Sequence, residues 1–330
     1  MSWRTIVISR RCKLDLKLGY MVIRGEETRR VFLDEVAVLI LENPAVSMTG
    51  CLLNALIEEK IKVIFCDNQH NPCSELVALY GAHDATRKLR WQLEWSRETQ
   101  NAVWIEIVTE KIRKQAEFLL QCGKAEEYGM LMSYLSEMLP ADVSNREGFA
   151  AKVYFGGIFG DEFNRSVGDP INSALNYGYA ILLSAFNREI VSGGYLTQLG
   201  IRHDNTFNPF NLSCDFMEPF RILVDRKVYG MELKEFGTEE KHDLVRFMHQ
   251  MVQIAGAKQT VLNAISIGNQ QICGAFAKFY AVFDESEAAN YKNNLPYREK
   301  STGARELHAN TGSGTAGGSV DFGYGAGTSM

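Results

Sequence analysis

The feature that most constrains this chain is a change in hydrophobic period along its length. Up to about residue 66 apolar residues tend to alternate, whereas from about Ala85 onward they recur at three- and four-residue spacing. Lys13–Leu18 shows the first period most clearly. Leu14, Leu16 and Leu18 fall on one face and Lys13, Asp15 and Lys17 on the other, the pattern of a half-buried strand. Arg4–Ser9, Tyr20–Arg24, Arg30–Leu33, Val36–Leu41 and Lys62–Cys66 read as further strands, with Gly19 permitting a turn, Asp34 and Glu35 breaking the run and Pro44 blocking continuation. Thr49–Lys60 is the exception, a helix with Thr49 as N-cap and Leu52, Leu53, Leu56 and Ile57 on one stripe. Strands first and helices afterwards predict an α+β fold, a small N-terminal β-sheet domain followed by a larger all-α domain.

The turn-rich segment Asp67–Pro72 places the boundary within 67–85. The expected organisation is a β domain over 1–75, a linker over 76–85, a helical domain over 86–290 and a tail over 291–330. The helical part begins with a long region through Leu89, Leu93, Val103, Ile107 and Ile112, and continues with Glu126–Leu139, closed by Pro140. Pro170 behind Asp169 starts a helix that runs to about Ser192 and stops at Gly193 and Gly194. Phe207–Val228, Thr238–Ala255 and Thr260–Tyr280 are expected to be helical as well. Ser301–Met330 holds eight glycines and hardly any large apolar residue, so the tail is expected to be disordered or vector-derived.

Composition excludes several classes. No apolar run reaches the ~18 residues of a membrane span, and Met1–Arg11 lacks the apolar stretch of a secretory leader, so the expected location is the cytoplasm, with no membrane partner. Seven cysteines without a C-x-x-C pair read as reduced thiols, not as a zinc site or a disulfide framework. Net charge is −5, split as +2 over residues 1–125 and −7 over 126–330. Nucleic-acid binding is therefore left to local basic patches, and the acidic half suits a carboxylate-lined metal site.

The run Leu199–Arg221, LGIRHDNTFNPFNLSCDFMEPFR, concentrates the chemistry. His203 precedes a helix on which Asp215 and Glu218 stand three apart, on one face. Two carboxylates beside an imidazole suit a hard divalent ion, Mg²⁺ or Mn²⁺; the same acids also suit a solvated helix face. Pro219 directly after Glu218 predicts a kink at the acid. Glu147 supplies a third acid within Ser144-Asn145-Arg146-Glu147, which also reads as a capping box in which Glu147 reaches back to the Ser144 amide.

Three segments in this order resemble the CRISPR-associated adaptation integrases, closest to the type II branch: Glu147–Phe155 (EGFAAKVYF), Asp169–Ser184 (DPINSALNYGYAILLS), and Leu199–Arg221 with its histidine followed by D-x-x-E-P-F-R. The resemblance covers roughly residues 1–285. It implies that the helical domain is catalytic, that the metal ligands fall on Glu147, His203 and Glu218, and that Asp215 is an alternate ligand or supports one. Asn172, Asn176 and Tyr179 would line the site or hold helices together. The implied reaction is transesterification, in which a 3′-hydroxyl of captured DNA attacks a phosphodiester at the leader–repeat boundary with Mg²⁺ or Mn²⁺ as Lewis acid and His203 as ligand or proton carrier. No nucleotide-binding G-x-x-x-x-G-K-[ST] loop occurs.

DNA contacts are expected from Arg146, Lys152, Arg165, Arg202 and Arg221 near the acids, and from Arg87, Lys88, Arg90, Lys111, Arg113 and Lys114 on earlier helices. The implied partners are double-stranded DNA (the captured fragment and the repeat array), a second copy of the chain docking through the β domain, a small dimeric subunit of ferredoxin-like fold, an RNA-guided effector nuclease and a ring-shaped DNA-end-binding protein. A metal-dependent nuclease or junction resolvase with water as nucleophile, and a non-enzymatic DNA-bridging scaffold, remain the alternatives.

Overall fold

The protein is described from a computed structural model that places residues 4–78, 82–139 and 142–283, with side chains to 276. The glycine-rich tail lies outside these residues. Two four-stranded sheets open the chain. The first has the order β1 (Arg4–Ile8), β5 (Val36–Leu41), β7 (Lys62–Cys66) and β8 (Pro72–Leu76); its first three strands are parallel and β8 returns antiparallel to β7. The second runs β4 (Thr28–Phe32), β3 (Tyr20–Arg24), β2 (Lys13–Lys17) and β6 (Ser47–Met48). The alternation in Lys13–Leu18 holds in outline: Leu14 is fully buried while Lys13 and Lys17 are exposed, and Leu18 turns outward at the hairpin tip. Helix α1 (Gly50–Glu58) is capped by the Thr49 hydroxyl, which accepts from the Leu52 amide at 3.4 Å. The segment read as turn and linker contains β8, because the turn at 67–71 reverses the chain onto β7; the Asp67 carboxylate accepts from the Gln69 and Asn71 amides.

Strand β5 is apolar and buried at all six positions, as expected of a parallel strand covered on both faces. Val38 and Ile40 join the core built with the helices, while Leu39 and Leu41 join a second core with α1 and the other sheet. Each such fully buried aliphatic side chain stabilises by roughly 1.5–3 kcal/mol. Residues 1–284 thus form a compact unit.

The helical part comprises α2 (Ala85–Leu93), α3 (Arg97–Gln121), α4 (Ala125–Ser136), α5 (Arg146–Phe159), α6 (Pro170–Ser192), α7 (Asn211–Met217), α8 (Arg221–Tyr229), α9 (Thr238–Val245) and α10 (Val261–Phe283). The Asp169 carboxylate caps α6, accepting from the Asn172 amide at 2.7 Å. α6 lies on the first sheet, where buried Lys62 pairs with Glu75 and the Ser184 hydroxyl donates to the same carboxylate at 2.8 Å. Burial pushes the Lys62 ammonium down to about 8 despite Glu75 beside it. Arg188 of the same helix reaches the carbonyls of Ala37 and Lys60.

Two expected helices break up. Residues 204–210 form turns because the side chains of Asn205 and Asn208 accept from the amides of Phe207 and Phe210, competing with helical hydrogen bonds. Beyond α7 a 3-10 turn, Glu218–Phe220, separates it from α8 at Pro219. In Thr238–Ala255 the helix ends at Val245, and Met251–Ile254 (β9) pairs with Ala257–Thr260 (β10) across Ala255 and Gly256. Both turn residues have positive φ, 49° and 77°, as a tight two-residue hairpin requires. Among the described residues no helix is long and apolar enough to cross a membrane.

Candidate metal centre and its surroundings

α3 supplies the floor of the site. Trp104, Ile107, Val108, Gln115 and Phe118 form its buried stripe, and Lys111 stands in the middle of it. The Lys111 ammonium lies 2.6 Å from Glu147 Oε1 and 2.6 Å from Glu218 Oε2. Glu147 comes from the first turn of α5 and Glu218 from the 3-10 turn at Pro219. Glu218 is buried, and Arg221, one turn further on, holds its other oxygen at 3.0 Å. Burial by itself would raise the Glu218 carboxyl; Lys111 and Arg221 outweigh it and hold the group below its ordinary range. Burial likewise pulls Lys111 down, while Glu218 and Glu147 keep it charged with a raised pKa.

The start of α5 differs from the capping box. Asp142, itself buried, accepts from the Arg146 amide at 2.7 Å and the Glu147 amide at 3.1 Å. The Ser144 hydroxyl is buried without a partner, and Asn145 takes the cap position in a left-handed conformation. With the helix end satisfied by Asp142, the Glu147 side chain is released to Lys111.

His203 belongs to the loop before α7. Its Nδ1 is 2.6 Å from Asp215 Oδ1. The Asp215 carboxylate is fully buried and also accepts from the amides of Ile201 (2.5 Å), Arg202 (3.1 Å) and His203 (3.1 Å). That convergence needs Gly200: a Cβ there would fall on the His203 carbonyl oxygen and 2.9 Å from Asp215 Oδ2. Asp215 therefore orients the histidine, and as placed its oxygens are engaged within the loop. The hydrogen bond to Asp215 raises the His203 pKa against the lowering effect of burial, and Glu218 is close enough to add to the rise. The Trp104 and His203 rings meet in a T-shaped contact, 6.2 Å between centroids. Asn211 ties the same loop down through the carbonyls of Gln198 and Asn205, and Asn208 donates to Cys214 Sγ.

The polar face of α6 forms a neighbouring wall. Arg165 donates to Asn172 and to Asn176, and its guanidinium lies over Tyr179, whose ring also carries Arg221 at 4.7 Å. The Tyr179 and Tyr154 hydroxyls both donate to Asp225. Burial pushes the Asp225 carboxyl up to about 6 despite these two bonds. Asn172, Asn176 and Tyr179 thus hold arginine and carboxylate partners between helices.

Among the arginines expected to flank the site, Arg146 points away, pairing with Glu137 at 2.7 Å and stacking on Tyr134 of α4. Arg202 and Lys152 are exposed. Lys111, expected on DNA, stands half-buried between the acids. Its position on the apolar stripe of α3, four residues after Ile107, is the sequence signal that distinguishes it from a surface lysine.

Two carboxylates and an imidazole whose Nδ1 is engaged by a carboxylate form a donor set that suits Mg²⁺ or Mn²⁺. As placed, no three His, Cys, Asp or Glu side chains among the described residues close around one point. The Lys111 ammonium stands between Glu147 and Glu218, a cation already in the position that a shared ion would need. The residues fit the ion by chemistry, with lysine in its place.

Solved structures share this arrangement of sheet and helices. A solved structure of a casposase bound to integration product superposes with a TM-score of 0.67 at 18% identity, covering 84% of this chain and 91% of that one. A chain of a Cas6-RT-Cas1–Cas2 complex superposes at 0.65 and 19% identity, covering 83% of this chain and 35% of that much longer one. In sequence, the CRISPR-associated endonuclease Cas1 of Neisseria meningitidis serogroup C (strain 8013) is 34% identical over 271 residues, 80% of this chain and 89% of that protein. The model of the family described as CRISPR associated protein Cas1 matches residues 5–243, and the chain belongs to that family.

Proposed function

We propose that this chain is a metal-dependent DNA integrase of CRISPR adaptation, joining 3′-hydroxyl ends of captured double-stranded DNA to the leader–repeat boundary by transesterification. The observation that carries the reading is the meeting of Glu147 and Glu218 on one cation, Lys111, beside a histidine held by Asp215. Glu147, Glu218 and His203 would hold Mg²⁺ or Mn²⁺, which supplies Lewis-acid stabilisation of charge on the phosphoryl oxygens when bound. Asp215 fixes the imidazole by its Nδ1, leaving Nε2 as ligand or as carrier of the proton from the attacking hydroxyl. Arg221 offers fixed positive charge beside the acids, where negative charge accumulates during the reaction. One phosphodiester replaces another, so no energy-rich cofactor is required. Arg202 and Lys152, both exposed, and Arg165 suit phosphate contacts that position DNA.

The structurally similar chain of a Cas6-RT-Cas1–Cas2 complex supports a Cas2 subunit as partner, in this reading the small dimeric one of ferredoxin-like fold. Tyr20 and Phe32, exposed on the second sheet with tilted rings 5.1 Å apart, and Leu18, exposed at the hairpin tip, support a second copy docking through the β region. An RNA-guided effector nuclease and a ring-shaped DNA-end-binding protein are further partners in this reading, and the cytoplasm its location. Hydrolysis of branched DNA by the same residues is the second reading, favoured by the name endonuclease in the relatives. The test is strand transfer with labelled 3′-hydroxyl duplexes and a repeat-bearing target, alongside a Mn²⁺ titration. Glu218→Gln is expected to abolish both joining and tight Mn²⁺ binding. Joined product with unchanged Mn²⁺ affinity in that variant overturns the site; cleavage without joining by the parent favours hydrolysis.

A further inference from the structure

Lys111 is the charged side chain least explained by the reaction above. It projects from the buried face of a 25-residue helix, its side chain is 12% exposed, and it contacts one oxygen from each of the two acids at the same 2.6 Å. Without it Glu147 and Glu218 would face each other across a largely dry gap, with Arg221 holding only Glu218. With it, the local charge balances: two carboxylates against Lys111 and Arg221. A divalent ion entering that arrangement would bring two extra positive charges beside an ammonium that already takes the shared position. Two like-charged cations cannot both sit within contact distance of the same two oxygens at low cost.

We propose that Lys111 is an internal counter-cation that keeps Glu147 and Glu218 together in the ion-free protein and must withdraw when a divalent ion is taken up, so that it sets how tightly the site loads. This rests on the metal reading of the site. Lys111 acts through the two acids and is a positioning residue. It protects the ion-free fold from repulsion between buried Glu218 and half-buried Glu147, and that protection weakens metal affinity. A purely structural lysine would have the opposite signature, since its loss would loosen the acids and weaken metal binding.

The test uses the full chain stripped of metal, with Mn²⁺ as probe, followed by calorimetry or by electron paramagnetic resonance of free Mn²⁺. Lys111→Gln removes the charge and keeps most of the stem; Lys111→Met is a second variant with no hydrogen-bonding group. Mn²⁺ affinity is expected to rise at least about tenfold in both, because even water-screened repulsion between a divalent and a monovalent cation about 4 Å apart exceeds one decade in binding. The ion-free variants are expected to melt below the parent and to gain more from saturating Mn²⁺ than the parent gains. Variants that are unfolded without Mn²⁺ and fold when it is added support the proposal equally. Unchanged or weaker Mn²⁺ binding in a folded variant overturns it, as does a fold that Mn²⁺ does not restore. The parent and Glu218→Gln separate the two readings. Parent binding that Glu218→Gln loses, with affinity unmoved in Lys111→Gln, removes only the role of Lys111. Absence of Mn²⁺ binding in the parent and in both Lys111 variants removes the metal site and this inference together.

Discussion

Asp215→Asn offers a test of how the histidine loop is held. The native carboxylate, fully buried, accepts from three amides at 2.5, 3.1 and 3.1 Å and from the His203 ring at 2.6 Å. An asparagine keeps one acceptor oxygen and turns an NH₂ group toward the remaining donors, so at least one buried amide is left unpaired against another donor. An unsatisfied buried donor costs about 1–3 kcal/mol, and breaking a buried charged contact about 3–5 kcal/mol, so a total loss of about 3–5 kcal/mol is expected. At roughly 2 °C per kcal/mol for a chain of this size, the melting midpoint should fall by about 6–10 °C. A second readout is independent of stability. The Asp215 contact is the foremost cause of the raised His203 pKa, so NMR titration of the ring should move downward in the variant. The sign in the parent follows: His203 contributes stability fully below its unfolded value of about 6.5, and that contribution is lost as pH rises through the raised folded value. The variant should lose this pH dependence. A midpoint within 2 °C of the parent, together with an unmoved His203 titration, would refute the reasoning.

Two further outcomes follow from other parts of the site. Gly200→Ala should cost about 1–3 kcal/mol by thermal melting, because the new methyl overlaps the His203 carbonyl, and should shift the His203 titration as Asp215→Asn does; a neutral melt would show that the loop has room to spare. Asp225, raised to about 6, disfavours its charged form in the fold, so it supports stability below about pH 4 and loses that support as pH rises through 6. Asp225→Asn should therefore gain on the parent by on the order of 3 kcal/mol between pH 4 and 7 and then stay level, and a gap that does not change with pH would count against burial as the cause.

The β part was legible because its signals are local. Period two in Lys13–Lys17, the all-apolar run Val36–Leu41 and the Thr49 cap each decide their own conformation. What escaped depended on competition between nearby groups or on distant partners. Asn205 and Asn208 captured amides that the helical pattern over Phe207–Val228 assigns to a helix, and β9 and β10 exist because a two-residue turn folds Met251–Thr260 back on itself. In the site, the acids and the histidine were named from motif resemblance, and their neighbours were not. Asp142 caps α5 from a left-handed position outside the helix, where no capping pattern would look for it. Lys111 read as a phosphate contact because its sign was weighed and its place on the buried stripe of α3 was not.

Strand β5 has a consequence for how this chain can be divided. Its odd and even side chains serve two different cores, Val38 and Ile40 toward the helices, Leu39 and Leu41 toward α1 and the second sheet. A cut in the segment after β8 would give the sheet to one fragment and leave the other with an uncovered apolar wall along α6. Neither fragment would carry a finished interior, so the sheet is a shared partition and the two parts should melt in a single transition. The acids on α5 and beyond α7 thus belong to the same compact unit as a strand more than a hundred residues earlier.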